Sequence, residues 1–591
     1  MHNSLIALVA LGAAIYRTGK EWSRRRIDLV PRRGEYFPRE QQRPPIAARA
    51  FDSPVISLID LIRACRSLRV HEIQEVLRRR YLPIRHLSPE PFAAAADISA
   101  IKSGWDAGHA VLARMRNQDL TLALQHVFGR ILIRRAESRL ARHHPDYSAG
   151  QPALPWQKFA LAVIVIRIGS MFVGRSDLLF ITTTMIFSFV FLAAIAVRLL
   201  ALTSIASVEQ RRCVRLPDRA LPIYTIFVPL FREAEMLPSL LRALGRLDYP
   251  ADRLDIKIIL EESDHATRDA LSQFQLTKQF EVIVVPAGGP QTKPRALSYA
   301  LHFARGELAT VYDAEDVPNP QQLRQAAGIF AAGSPRLACL QARLTFAHAN
   351  NWLSQHMLIE YAALFDVLLP VLGQQGWPIP LGGTSNHFRV DILRKIGGWD
   401  PFNVTEDADL GIRLARCGFA VDVFSATTVE EANTSLGNWM RQRSRWIKGW
   451  MQTAIVHTRH PRRLYRELGF TRFAVLHLQL VSMVASPLVH PLFLVLIGWK
   501  LLPIARAPGA PDALASLALG FGAVVFIAGY GAAMATQIKG IRLRRLDALL
   551  PLVATLPFYW LLISAASWMA VWEFIRRPYH WNKTQHGLTM R

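Results

Sequence analysis

Apolar runs gathered at the two ends of a long stretch of ordinary hydropathy constrain this chain more than any other feature. They are Phe159 to Val173, Leu178 to Leu202, Phe473 to Leu502, Leu514 to Ile538 and Leu549 to Ile575. A helix needs about 20 apolar residues to cross a bilayer, and backbone in hydrocarbon must satisfy its own hydrogen bonds. The chain is therefore expected to hold a transmembrane hairpin at 157–202, a water-facing domain at 221–459, and interfacial and transmembrane helices at 470–575. Composition agrees: 51% of residues are hydrophobic, yet Lys and Arg exceed Asp and Glu by 70 to 45. A nucleic-acid binder can be this basic but does not carry such runs, whereas a membrane protein with basic cytoplasmic segments explains both facts. The four cysteines, Cys65, Cys213, Cys339 and Cys417, are scattered, so neither a disulfide frame nor a zinc site is expected.

The flanks are read in the same way. Residues 1–49 form a basic leader whose apolar stretch, Ser4 to Tyr16, is too short to span and suits an interfacial anchor. Val55, Leu58, Ile59 and Ile62, and again Leu124, Val127, Phe128 and Ile131, fall at helical spacing, which predicts a small, mostly helical cytoplasmic domain at 50–150. Arg167 lies within the first apolar run and should face protein or reach an interface. The prolines 487 and 491 are expected to break the third run into an interfacial helix and one crossing. Five simple crossings would put the basic tail 576–591 outside, so a kink at Pro557 is expected to keep that tail cytoplasmic.

Between Leu221 and Arg459 the pattern alternates strand and helix: Ile223 to Pro229, Glu233 to Leu247, Leu254 to Leu260, Asp264 to Gln279, Glu281 to Val285. That alternation predicts a parallel sheet with crossover helices, and ligands of such sheets lie at the C-terminal strand ends. Four acidic or polar clusters punctuate this stretch, three of them at expected strand ends or helix starts: Glu261-Glu262-Ser263-Asp264, Asp313-Ala314-Glu315-Asp316, Thr405-Glu406-Asp407 and Gln442-Arg443-Ser444-Arg445-Trp446. Two or three carboxylates converging at a strand end suit a hard cation such as Mg²⁺ or Mn²⁺, shared with the phosphates of a substrate. Lys293 and Arg295 are placed to meet phosphates, although Gly288-Gly289 have the wrong spacing for a Walker loop. Each cluster also has a plain structural account. The Asp313 cluster suits a solvated turn, Asp407 a helix N-terminal charge, Arg445 a partner for Glu406, and Trp446 a membrane-interface aromatic.

In their order and spacing these clusters resemble family-2 glycosyltransferases of the GT-A fold, in particular the cellulose-synthase-like membrane branch. The likeness runs from Ile223 to Trp446, and T-E-D followed by Q-x-x-R-W carries most of it. The resemblance implies a nucleotide-sugar-binding, Rossmann-like α/β domain inserted between membrane helices. It places Glu261 where the family has an aspartate contacting the nucleotide. Asp313 stands at the first position of the D-x-D motif and Glu315 at the second, with Asp316 beside them to share the metal. Asp407 is then the general base, with Glu406 before it; Gln442, Arg445 and Trp446 hold the acceptor and diphosphate; Gly383 and Thr384 lie in an acceptor-side loop. Glu261 and Glu315 depart from the family's aspartates, and the loop lacks its usual Phe-Phe-Cys opening. The tail Trp581 to Gly587 looks like a signature of bacterial members, and the N-terminal segment resembles an extra domain that in some members binds a cyclic dinucleotide.

The resemblance thus implies an inverting, processive enzyme of a bacterial inner membrane, with its catalytic domain cytoplasmic. It would move sugar from a UDP-sugar to a growing β-linked polysaccharide amid membrane lipid, with export subunits as partners and no nucleic acid. Two alternatives stand beside it: single-sugar transfer to a polyprenyl phosphate, and a silent receptor or scaffold that reuses the fold.

Overall fold

In the computed structural model the description covers residues 117–578 apart from 174–176, 205–212, 493 and 496–512, together with 58–66, 68, 72, 76, 81–83, 92–95 and 110–114. The leader at 1–49 and the tail signature at 581–587 lie outside the described residues. The N-terminal part holds helices α1 (Leu58–Arg66) and α2 (Asn117–His143), as the periodicity predicts, and also a small sheet of β1 (Tyr81–Pro83), β2 (Phe92–Ala95) and β3 (Ala110–Arg114). These strands were not legible because three to five residues are too few for a period-2 pattern. Along α2 the buried stripe is Leu120, Leu124, Phe128 and Leu132, while Ile131 points outward.

Helices α3 (Pro155–Val173) and α4 (Asp177–Thr203) follow. Arg167 faces protein: its Nε donates to Thr183 Oγ1 at 2.8 Å, and a second nitrogen reaches Thr182. A cation amid apolar residues is tolerated where such partners replace water.

The central domain is built on an eight-stranded sheet: β4 (Tyr224–Leu230), β5 (Leu254–Glu261), β6 (Phe280–Val285), β7 (Leu308–Val311), β8 (Val317–Pro318), β9 (Leu337–Ala347), β10 (Asn386–Arg389) and β11 (Ala420–Glu431), in the order β6-β5-β4-β7-β10-β9-β11-β8. The first four strands run parallel, β10 is antiparallel to both neighbours, and β11 is parallel to β9. All eight residues of β5 are buried, as a strand covered on both faces must be. Strand β6 would be a bare edge. Instead Gln118 and Gln125 of α2 accept the Val282 and Val284 N–H groups, each at 3.1 Å, and so close it. The crossover helices include α5 (Leu237–Gly245), α6 (His265–Ser272), α7 (Lys293–Ala300) and α8 (Gln322–Ala332).

Among the described residues, five helical stretches are long and apolar enough to cross a membrane: Ile181–Thr203, Trp352–Gln374, Pro461–Leu492, Ser516–Leu543 and Asp547–Arg576. The second begins with α9 (Trp352–Ala363) and is mostly buried within the protein, so it serves as a core helix against the sheet domain. After α10 (Val390–Lys395), α11 (Glu406–Arg416) and α12 (Leu436–Thr458), the chain enters α13 (Pro461–Leu480). A positive φ of 73° at Gly469 kinks it ahead of the third apolar run, and the helical stretch continues past Pro487 to Leu492. A π-helical turn at Val481–Ala485 widens the helix ahead of Pro487, where a proline ring would otherwise meet the carbonyl four residues back. Helices α14 (Ala513–Leu543) and α15 (Leu556–Arg576) complete the apolar set. At Pro557 the run changes character: a 3₁₀ helix over Asp547–Thr555 gives way to α15, and the proline occupies the first turn of α15, where its missing N–H costs nothing.

Candidate active site

Strand ends β4, β5 and β7, the start of α11 and one face of α12 converge on a cavity of about 340 Å³. Its lining includes Glu261, Lys293, Asp313, Glu315, Gly383, Thr384, Glu406, Asp407, Gln442, Arg445 and Trp446, which lie far apart in the sequence. Of the residues singled out from sequence, Arg295 and Asp316 are the two that do not line it.

On the β7 side, Lys293 opens α7 and reaches across the sheet end. Its Nζ lies 2.6 Å from Asp313 Oδ1 and donates to the Gly383 carbonyl at 2.7 Å. Burial opposes its charge, but Asp313, Asp407 and Glu406 outweigh that and hold the ammonium's pKa above its ordinary value. Asp316 turns inward: its Oδ2 accepts the Asp313 N–H at 2.6 Å and the Thr384 hydroxyl. It therefore shapes the Asp313 turn and ties it to the Gly383-Thr384 loop. The expectation sets Asp313, Glu315 and Asp316 together at a metal; here Asp316 Oδ2 is engaged by Asp313 and Thr384, while its buried Oδ1 has no hydrogen-bond partner. Among the described residues no group of three or more His, Cys, Asp or Glu side chains is arranged to hold a metal ion.

The donor set still fits a hard cation completed by phosphate oxygens, since such a site commonly takes only one or two protein carboxylates. Asp313 and Glu315 line the cavity with a third carboxylate, Glu430, from the end of β11. Burial and then the neighbouring Asp313 push Glu315 up to about 7. Burial, followed by the charges of Asp316, Glu315 and Asp313, pushes Glu430 well above the carboxylate range. A cavity that disfavours its own anions in this way is one that a further cation would stabilise.

Arg295 was expected to meet phosphate. It is fully buried, donating to Glu137, Glu261 and the Pro286 carbonyl, and so is committed inside the protein. Glu261 closes the cavity at the end of β5, and its pKa rises to about 7 through burial, which Arg295 partly offsets.

On the far side Asp407 sits in the first turn of α11, with the Trp399 indole N–H at 3.3 Å from Oδ1. Burial, then the adjacent Glu406 charge, raises its pKa well above the usual range, which makes it a stronger proton acceptor. Helix α11 is fixed from behind: Asp409 accepts from Arg413 at 2.9 Å and lies 3.0 Å from His457 Nε2 of α12. Gly449 lets α12 approach: a Cβ there would lie 2.3 Å from Thr405 Oγ1. Gln442 accepts from Asn433 at 2.9 Å, and Trp446 lies under the Arg443 guanidinium at 4.7 Å.

Sequence reasoning missed Glu430, Glu360 and Tyr361 and gave Arg443 no role within its cluster; all four line the cavity. Glu430 had a signal, an acid at the end of a β-rich run beside Glu431. Glu360 and Tyr361 had none, since they stand on a helix whose cavity-facing side depends on tertiary packing.

The comparisons bear on this geometry. Residues 222–449 match the family model described as glycosyltransferase like family 2. The central domain is thus similar to the family-2 glycosyltransferases. Among curated relatives of this domain, a probable glycosyltransferase YdaM of Bacillus subtilis (strain 168) is 26% identical over 239 residues, 39% of this chain and 56% of its own length. A beta-monoglucosyldiacylglycerol synthase of Synechocystis sp. is 29% identical over 278 residues, 44% of this chain and 57% of its own. A probable glucomannan 4-beta-mannosyltransferase 1 of Arabidopsis thaliana is 25% identical over 239 residues, 39% and 43%. The chain thus spans about half the length of these relatives. A solved structure, the mannosyltransferase PcManGT from Pyrobaculum calidifontis in complex with GDP-Man and Mn2+, overlays with a TM-score of 0.44 at 17% identity, covering 67% of this chain and 98% of that one.

Proposed function

We propose that this chain transfers a glycosyl unit from a UDP-sugar, with inversion, to a growing β-linked polysaccharide at a bacterial inner membrane, its central domain cytoplasmic. The observation that carries the reading is the meeting of Lys293 and Asp313 with Asp407 and Trp446 in one cavity, which also reaches Met483 in the apolar helical segment after α13. Lys293 and Arg445 suit the donor diphosphate, and the Trp446 indole offers a flat apolar face to an acceptor sugar. Asp407 takes the proton from the acceptor hydroxyl as its oxygen bonds to the anomeric carbon. The bond from that carbon to the diphosphate oxygen breaks, and the nucleoside diphosphate leaves with the electron pair. Mg²⁺ or Mn²⁺, held by Asp313 and Glu315, would neutralise charge on the leaving diphosphate. A single displacement of this kind inverts the anomeric configuration.

A second reading, one sugar placed on a lipid carrier, is favoured by the apolar part of the cavity, where Leu364, Phe365, Leu369, Trp450 and Met483 lie together. The relative named for glucosyldiacylglycerol synthesis points the same way. The test is incorporation of radiolabel from a panel of UDP-sugars by membranes containing the protein, with products sorted into polymeric and lipid-extractable fractions. Label in polymer supports the first reading, label in lipid alone the second. No UDP release with any donor would reopen the silent-scaffold alternative.

A further inference from the structure

Helix α2 lies outside the family-2 domain, yet one of its side chains connects to the end of the cavity where Glu261 stands. Glu137 Oε1 accepts from Arg295 Nε at 2.8 Å. The same guanidinium, with no exposure to solvent, donates to the Pro286 carbonyl at 2.6 Å and lies 3.4 Å from Glu261 Oε2 through Nη1. Glu261 lines the cavity; Glu137 and Arg295 do not. A carboxylate from the N-terminal segment, a buried guanidinium and a cavity carboxylate therefore stand in series.

Two further observations indicate that the series is built into the fold. The loop beside it passes so close that a Cβ at Gly288 would lie 2.7 Å from Arg295 Nη2 and 3.1 Å from Glu137 Oε1. The second is the glutamate itself. An aspartate at 261 would end about 1.5 Å short, one carbon–carbon bond, and the contact with Arg295 would be lost. A guanidinium wholly out of water needs its charge answered, and here two carboxylates on opposite sides share it.

We propose that Glu137 is a positioning residue for the nucleotide end of the donor site, acting through Arg295 on Glu261, so that helix α2 is a working part of the donor pocket. This rests on the reading of the cavity as a nucleotide-sugar site. With Glu137 in place Arg295 is held from both sides, and the Glu261 carboxylate is fixed at the cavity wall. Without that charge the guanidinium keeps one anion and draws Glu261 toward itself.

The experiment is UDP binding by calorimetry to the full-length protein in detergent with Mg²⁺, together with donor KM and kcat. Glu137→Gln should weaken UDP binding about 10-fold, the size expected when one buried charged contact is lost, with the loss falling on donor KM. Gln125→Ala, which loosens α2 from β6 without touching Arg295, should bind UDP as the wild type does. Unchanged UDP affinity in Glu137→Gln, or an equal loss in Gln125→Ala, overturns the proposal alone. Failure of the wild-type protein to bind either UDP or GDP overturns the donor-site reading and the proposal with it.

Discussion

Arg443 of α12 faces Glu360 of α9 with both terminal nitrogens, Nη1 lying 2.8 Å from Oε1. Tyr559 of α15 donates to the same carboxylate at 2.8 Å, and the guanidinium covers the Trp446 ring. Helices α15, α9 and α12 are thus tied at one ion pair. Arg443→Met should lower thermal stability by about 2 kcal/mol, a value between an exposed pair and a fully buried one. It should also slow transfer while UDP affinity holds, since Trp446 loses the group above it. Thermal melts and UDP binding measured on the same preparation check both parts. Equal loss of donor binding would place Arg443 at the diphosphate instead.

Asp407→Asn keeps the shape of the first turn of α11 but removes the proton acceptor. Turnover should fall ~10²–10⁴-fold, the usual cost of losing a general base, with donor affinity retained. Polymer yield and UDP release recorded side by side decide it, and near-wild-type turnover would exclude Asp407 as the base.

The acid limb of the rate profile should move when Glu406 is neutralised. The groups acting on Asp407 are Glu406 and Asp313, which oppose its ionisation, and Lys293 and the Trp399 N–H, which favour it. Burial and the Glu406 charge place its pKa above that of an ordinary carboxylate, so activity is lost on acidification at a higher pH than for an exposed Asp. Glu406→Gln removes a negative neighbour and lowers the Asp407 pKa, so the acid limb should shift toward lower pH. A shift upward, or none, in kcat/KM against pH would contradict this arrangement.

Gly449→Ala tests the seam between α11 and α12. The added methyl would meet Thr405 within 2.3 to 2.7 Å of three side-chain atoms, so the loop before Asp407 must move. A displacement of about 1 Å near the chemistry can cost ~10²-fold in rate. Transfer should therefore fall by that order with a smaller change in UDP binding, read from the same two assays. Full activity would show that the helices separate freely at this point.

Much of the architecture was present in the sequence because its causes are local. Apolar length marked the helical ends, period-2 and period-3.6 patterns marked the sheet domain, and T-E-D with Q-x-x-R-W marked the α11 and α12 faces. The small N-terminal sheet was not marked, because its strands are too short to show a period. Neither was the kink within α13 at Gly469, where a positive φ redirects the helix.

At the site, sequence determined which residue types were available, and tertiary structure decided which way each one points. Lys293 and Arg295 are two apart on one short helix, so they leave it in different directions: one enters the cavity beside Asp313, the other is buried against Glu137. Asp313 and Asp316 divide in the same way, the first facing the cavity and the second bonded inward to Thr384. Glu360, Glu430 and Arg443 join the site from elements whose packing brings them there. Charge pattern along a chain is a local property, whereas the direction of a side chain is set by whatever the rest of the fold packs against it.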